Sequence, residues 1–92
     1  MKNKWENINT DKLCDALLAI NNKKEAKNFL RDLFTEEEII EFGKRFQAAK
    51  MLSEKISYAE IVKKTGLSST TVARVSKWLN SGMNGYKLIL NS

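Results

Sequence analysis

Apolar residues recur three and four positions apart along most of this chain, which is the spacing of one helix face. The spacing predicts a first helix over residues 11–21, capped by Thr10, with the apolar positions Leu13, Cys14, Leu17 and Leu18. It predicts a second helix over residues 24–33, with the inward-facing positions Ala26, Phe29, Leu30 and Leu33. We expect the Asn21-Asn22 pair to end the first helix, so that the chain begins with two helices.

Two capping boxes mark the next helix starts. Residues 35–38 (Thr-Glu-Glu-Glu) predict the start of a third helix that runs to about residue 53. Residues 57–60 (Ser-Tyr-Ala-Glu) predict the start of a fourth, which ends at Thr65. In each box a hydroxyl accepts from the backbone N–H three residues on, which satisfies a donor that the helix leaves open.

The last third of the chain begins with a break at Gly66. The hydroxyl side chains of residues 68–71 offer N-caps for a fifth helix that runs to Leu79 or Asn80. Residues 81–85 are predicted as a loop, and Tyr86 to Leu90 as a final helical turn. The chain is therefore predicted to be all-α, with about six helices.

The segment from Ile56 to Trp78 has the spacing of a helix-turn-helix. Gly66 falls in the turn, where the backbone commonly needs a positive φ that strains any side chain. The apolar positions that would fix the two helices against each other are Ile61, Val72 and Val75. Small or hydroxyl residues lie around them at Ser69, Thr70, Thr71 and Ala73, and such residues let a helix enter the major groove.

Composition narrows the chemistry that the chain can perform. Its 92 residues are the size of one domain, with a modest core for which a partner subunit is a plausible supplement. It has no histidine and one cysteine, Cys14, which excludes an internal disulfide and a zinc finger. Cys14 is expected to fill a core position. Without a nucleophile–base pair or a metal motif, we expect no catalytic residue, no cofactor and no enzyme activity.

The apolar runs are short. None approaches the roughly 20 residues of a membrane helix, and the N-terminus lacks an apolar leader segment, so we expect a cytoplasmic protein. The large apolar side chains Trp5, Phe42 and Phe46 are expected to pack in the core or in a dimer interface rather than to stack on bases.

Positive charge is concentrated in the last third of the chain. Residues 1–55 hold eleven Lys and Arg against ten Asp and Glu, a net charge of +1. Residues 56–92 hold five basic residues against Glu60 alone, a net charge of +4. Such an excess is typical of a surface that binds polyanions, although a solvated helix face would have the same composition.

Several motifs together resemble the Trp repressor superfamily, and more closely its Trp-repressor-like YerC/YecD branch. They are residues 34–38 and 42–45, the Tyr58-x-Glu60-Ile61 helix, the Thr71-Val72-x-Arg74-Val75 run and the Asn84-Gly85-Tyr86 tail. The resemblance spans nearly the whole chain and is strongest over residues 34–90. It implies an intertwined homodimer of six-helix subunits, each with one helix-turn-helix, that binds double-stranded DNA.

The resemblance also implies a layout within one domain, residues 1–92. Residues 1–55 would form the dimerisation and core helices, residues 56–81 the helix-turn-helix, and residues 82–92 the C-terminal loop and short helix. The expected DNA-binding residues are Tyr58, Lys63, Lys64, Ser68, Ser69, Thr70, Thr71, Ala73, Arg74 and Lys77. For the basic residues among them, an ordinary solvated role is the alternative to a phosphate contact; for Tyr58 it is a half-buried packing ring.

A possible effector pocket follows from the same resemblance. Arg45 and Arg74 match two arginines with which the Trp repressor holds its corepressor tryptophan. Val75 and Trp78 stand where that repressor has a glycine and a serine beside the ligand, and they take up volume that free tryptophan needs. We therefore expect no binding of tryptophan and predict that Trp78 fills the space from within.

These observations predict a sequence-specific, DNA-binding transcriptional regulator, a repressor, that acts as a homodimer. The alternative is a protein-interaction or accessory module built on a helix-turn-helix scaffold, which would bind a protein through apolar residues.

Overall fold

Helices and the turns between them make up the part of the chain that the computed structural model describes, residues 3–91. The six helices are α1 (Ile8–Leu18), α2 (Lys23–Leu33), α3 (Glu36–Ser53), α4 (Tyr58–Thr65), α5 (Ser69–Ser81) and α6 (Gly85–Leu90). The prediction of an all-α chain with about six helices is confirmed.

The first helix lies three residues earlier than the prediction of residues 11–21. Its N-cap is Asn7, whose side-chain oxygen accepts from the backbone N–H of Thr10 at 3.0 Å. Thr10, the predicted cap, is thus inside the helix. Asn22 caps the start of α2 rather than ending α1, and its side chain accepts from the N–H of Glu25 at 2.9 Å. Asparagine is a strong N-cap, so the starts of both α1 and α2 follow from side-chain chemistry.

Two expectations about burial in α1 and α2 are wrong. Cys14 is exposed rather than buried in the core. Leu33, predicted to face inward, is also exposed. Neither helix contains a buried residue. The predictions failed because apolar spacing identifies one face of a helix but not the surface that covers it.

The later helices lie close to their predicted bounds. The fifth helix extends to Ser81, and α6 begins at Gly85, so the loop is shorter than residues 81–85. Gly82 is the C-cap of α5, and the position requires glycine because a Cβ there would collide with the carbonyl oxygen of Trp78.

The chain forms two compact units, Met1–Thr35 and Glu36–Ser92. In the second unit, α3 packs against α4, α5 and α6, and α5 packs against α4 and α6. Its buried cluster comprises Ala48, Ala49, Met51, Ile61, Leu67, Val72 and Val75. This core holds α4 and α5 in place.

Candidate nucleic-acid interface

The turn between α4 and α5 has the local structure that the sequence predicts. Gly66 has a φ of 76°, in the left-handed region. Before it, the Thr65 hydroxyl donates to the carbonyl of Ile61 at 2.7 Å and accepts from the N–H of Leu67 at 3.2 Å. Sequence reasoning missed this role of Thr65, although a hydroxyl residue before a turn glycine is a usable signal.

Three apolar side chains join the two helices. Ile61 of α4 and Val72 and Val75 of α5 are each fully buried, and they are the largest fully buried side chains in the described part of the chain. Burial of a side chain of this size contributes about 1.5–3 kcal/mol. The prediction that these positions pack the two helices together is confirmed.

The start of α5 is built from two hydroxyl residues. The Ser68 oxygen accepts from the backbone N–H of Thr71 at 3.1 Å and donates to the Thr71 hydroxyl at 3.0 Å. Both predicted site residues are therefore engaged in capping the helix. Ser69 and Thr70, which follow the cap, are exposed.

One turn further along α5, three more of the predicted DNA-binding residues are also exposed: Ala73, Arg74 and Lys77. None of the three is buried by the chain, and neither Arg74 nor Lys77 forms an ion pair with an acid within residues 3–91. An exposed helix face with small, hydroxyl and cationic residues suits a polyanionic groove.

The predicted residues of α4 lie at its two ends. Tyr58 is its first residue and is 45% exposed, and the Ser57 hydroxyl before it caps the helix by accepting from the N–H of Glu60. Lys63 and Lys64 are exposed near the other end. Lys64 lies 3.9 Å from Glu60, a surface pair that contributes less than about 1 kcal/mol and leaves the ammonium accessible.

Of the predicted effector-pocket residues, the structure brings Arg45 and Trp78 together. The guanidinium carbon of Arg45, on α3, lies 5.9 Å from the ring centroid of Trp78, on α5, and 5.5 Å from that of Phe42. Both are cation–π distances. The Arg45 Nε is 3.4 Å from a Glu41 carboxylate oxygen but is not aligned for a hydrogen bond.

The other two predicted pocket residues, on the same helix as Trp78, do not take part in this cation–π contact. Val75 is fully buried in the core, and Arg74 is exposed, with no ring contact to Trp78 among the described residues. Sequence reasoning missed Phe42 as the second ring on Arg45, for which the spacing of three residues on one helix was an available signal.

An apolar groove lies beside Trp78. It has a volume of about 520 Å³ and is lined by Phe46, Trp78, Gly82, Met83, Gly85, Tyr86 and Ile89. The indole of Trp78 is 43% exposed, so it forms one wall of this groove and does not fill it. The same ring, in the last turn of α5, contacts Arg45 in the middle of α3.

Within residues 3–91, no helix combines the length and the apolar character that a membrane crossing needs.

Known proteins resemble this chain over nearly its full length. The protein YerC of Bacillus subtilis (strain 168), described as uncharacterised, is 35% identical over 81 residues, which are 88% of this chain and 78% of YerC. The crystal structure of a TrpR-like protein from Eubacterium eligens ATCC 27750 overlaps with a TM-score of 0.91 and 37% identity, over 98% of this chain and 93% of that one. The crystal structure of a protein from Staphylococcus aureus overlaps with a TM-score of 0.88 and 34% identity, over the same shares.

The family described as Trp repressor protein matches residues 8–92. That range includes every residue of the helix-turn-helix, and the relatives agree with it in fold and in sequence. The predicted resemblance is confirmed, and the chain belongs to the Trp repressor family.

Proposed function

We propose that this protein is a sequence-specific regulator, a repressor, that binds double-stranded DNA as a homodimer through α4 and α5. One observation carries the proposal: Ile61, Val72 and Val75 are fully buried between the helices, while Ser69 and Arg74 face outward. These apolar side chains fix the angle of α5 against α4. The outward face of α5 packs against nothing in the described chain and is suited to the major groove of DNA.

The roles divide between phosphates and bases. Phosphate contacts come from the hydroxyl of Tyr58 and from the cations Lys63, Lys64, Arg74 and Lys77. Base-edge contacts come from the small residues Ser69, Thr70, Thr71 and Ala73. Ser68 both accepts and donates at the cap, so it contributes by orienting α5, whereas the Thr71 hydroxyl only accepts there and keeps its own proton to donate to a base edge.

A homodimer would cover the apolar residues of the N-terminal helices. The side chains of Leu17, Leu18 and Leu33 are exposed, Leu18 by 84%, and an isolated 11-residue helix is marginally stable in water. These helices therefore need an apolar surface to pack on. We assign that surface to the partner subunit, with residues 1–55 as the dimerisation and core segment, residues 56–81 as the helix-turn-helix and residues 82–92 as the C-terminal loop and short helix.

The regulator acts without tryptophan as a corepressor. Trp78 already lies on the Arg45 guanidinium and links α5 to α3, and the resemblance matches Arg45 to an arginine that holds the corepressor in the Trp repressor. Val75, matched to a glycine there, lies in the core. A built-in indole at this place holds α5 in its binding orientation without a ligand.

The test is selection of bound sequences from a pool of random DNA duplexes, with and without L-tryptophan. The proposal predicts one enriched palindrome, with half-sites about one helical turn apart, recovered equally in both arms. Recovery only in the presence of tryptophan would reject the built-in role of Trp78. No enrichment at low salt would reject the DNA-binding function and favour the protein-interaction alternative.

A further inference from the structure

A second surface of the protein carries two lysines that are not among the proposed DNA-binding residues. A groove of about 570 Å³ lies where the end of α3, the start of α4 and the last turns of α5 and α6 meet. Its lining includes Ser53, Lys55, Ser57, Tyr58, Asn80 and Lys87, and no Asp or Glu. We call this surface the lysine groove.

The two lysines of the groove are unpaired within the described part of the chain. Neither Lys55 nor Lys87 forms an ion pair with an acid within residues 3–91, whereas Lys64 on the same unit pairs with Glu60. Glu54 precedes Lys55 in the chain but does not line the groove. Two cations in one concave surface attract an anion, and hydroxyl groups beside them supply hydrogen-bond donors.

Lys55 occupies a backbone position that suits glycine better. Its φ is 66°, in the left-handed region. Its N–H donates to the carbonyl of Leu52 at 3.0 Å, and the N–H of Ile56 donates to Met51 at 3.1 Å. This pair of bonds is the Schellman ending of a helix, in which glycine is the usual residue at this position. Lysine is therefore less favourable than glycine for the backbone at this position. Any advantage of lysine here comes from its side chain.

We propose that the lysine groove binds a backbone phosphate of the DNA duplex, outside the segment that α5 reads. Tyr58 connects the two surfaces, because it lines the groove and also stands among the proposed phosphate contacts at the start of α4. A DNA strand that passes the start of α4 would continue into the groove. There the ammonium groups of Lys55 and Lys87 and the Ser57 hydroxyl would hold the phosphate. The inference rests on the proposed DNA-binding function.

The experiment compares duplex binding by the full chain and by three variants, Lys55→Gly, Lys87→Ala and Lys24→Ala, between about 50 mM and 200 mM salt. Lys24 is an exposed lysine of α2, so its variant controls for loss of charge alone. Lys55→Gly and Lys87→Ala are each expected to weaken binding at low salt and to reduce the log–log salt slope, with about 0.9 per subunit as the upper bound because the two lysines share one phosphate. Lys24→Ala is expected to leave the slope unchanged.

Thermal unfolding separates this loss from a folding defect. Because glycine suits the left-handed position, Lys55→Gly is expected to unfold at the same temperature as the natural chain or a higher one while binding DNA less well. Unchanged slopes in both groove variants, with normal binding by the natural chain, overturn the groove and leave the proposed function standing. An equal loss in Lys24→Ala overturns it as well. If the natural chain binds no duplex at low salt, the proposed function itself fails.

Discussion

Gly66 shows how one residue fixes the angle between the two helices of the interface. Its φ of 76° lies where a Cβ is strained, and an added Cβ would approach no atom closer than the Lys44 Nζ at 3.9 Å. The requirement for glycine is thus conformational and not a matter of space. The same reasoning could be applied to the sequence alone, because a glycine between a helix end and a run of cap residues predicts a left-handed turn.

Substitution of Gly66 tests this assignment. Gly66→Ala is expected to lower the free energy of unfolding by about 1–2 kcal/mol, the cost of placing an L-residue in the left-handed region. Gly66→Asn is the matched control, because asparagine adopts that region more readily, and it should lose less. Urea denaturation of the three proteins measures the order; a Gly66→Asn variant less stable than Gly66→Ala would contradict it.

At the scale of elements, α4 and α5 were predictable because their signals are local. Ser57, Gly66 and Ser68 each act within a few residues of themselves, and the structure has all three in their predicted roles. The start of α1 was not predictable in this way. Asn7 and Thr10 are both good N-caps, and α1 has no buried residue that would favour one start over the other.

Two neighbouring serines at the start of α5 have different proposed roles: Ser68 stabilises the helix, and Ser69 contacts DNA. Ser68→Ala removes the cap that the Thr71 N–H donates to and is expected to lower the free energy of unfolding by about 1 kcal/mol. Ser69→Ala removes an exposed hydroxyl and is expected to leave stability within about 0.5 kcal/mol while lowering DNA affinity. Thermal unfolding and duplex titration of both variants check this; an equal loss of stability in the two would refute the division of roles.

At the scale of the whole molecule, contacts between distant residues were beyond the sequence. The Arg45–Trp78 contact was expected only through the family resemblance, since no spacing rule connects α3 to α5. The lysine groove was not expected at all, because it assembles residues from Lys55 to Lys87 that only the fold brings together. The exposure of Cys14 is also a property of the whole molecule, because in the proposed homodimer the partner subunit would cover the apolar residues of α1.

The proposed homodimer predicts how the protein behaves on dilution. Equilibrium sedimentation at micromolar concentration is expected to give twice the 10.5 kDa mass of the chain. The unfolding temperature should rise with protein concentration, because association stabilises only the folded state. A stable monomer with a concentration-independent unfolding temperature would contradict the assignment of the apolar N-terminal helices to the interface.

The central claim is that α5 places Arg74 and its neighbours on a DNA duplex, and salt titration of duplex binding tests it most directly. The natural chain is expected to lose affinity steeply as salt rises, with a log–log slope of several units for a dimer. Arg74→Ala should weaken binding and reduce that slope by about 0.9 per subunit, while Lys24→Ala should not. The absence of duplex affinity at low salt, or a slope indifferent to Arg74→Ala, would contradict the account.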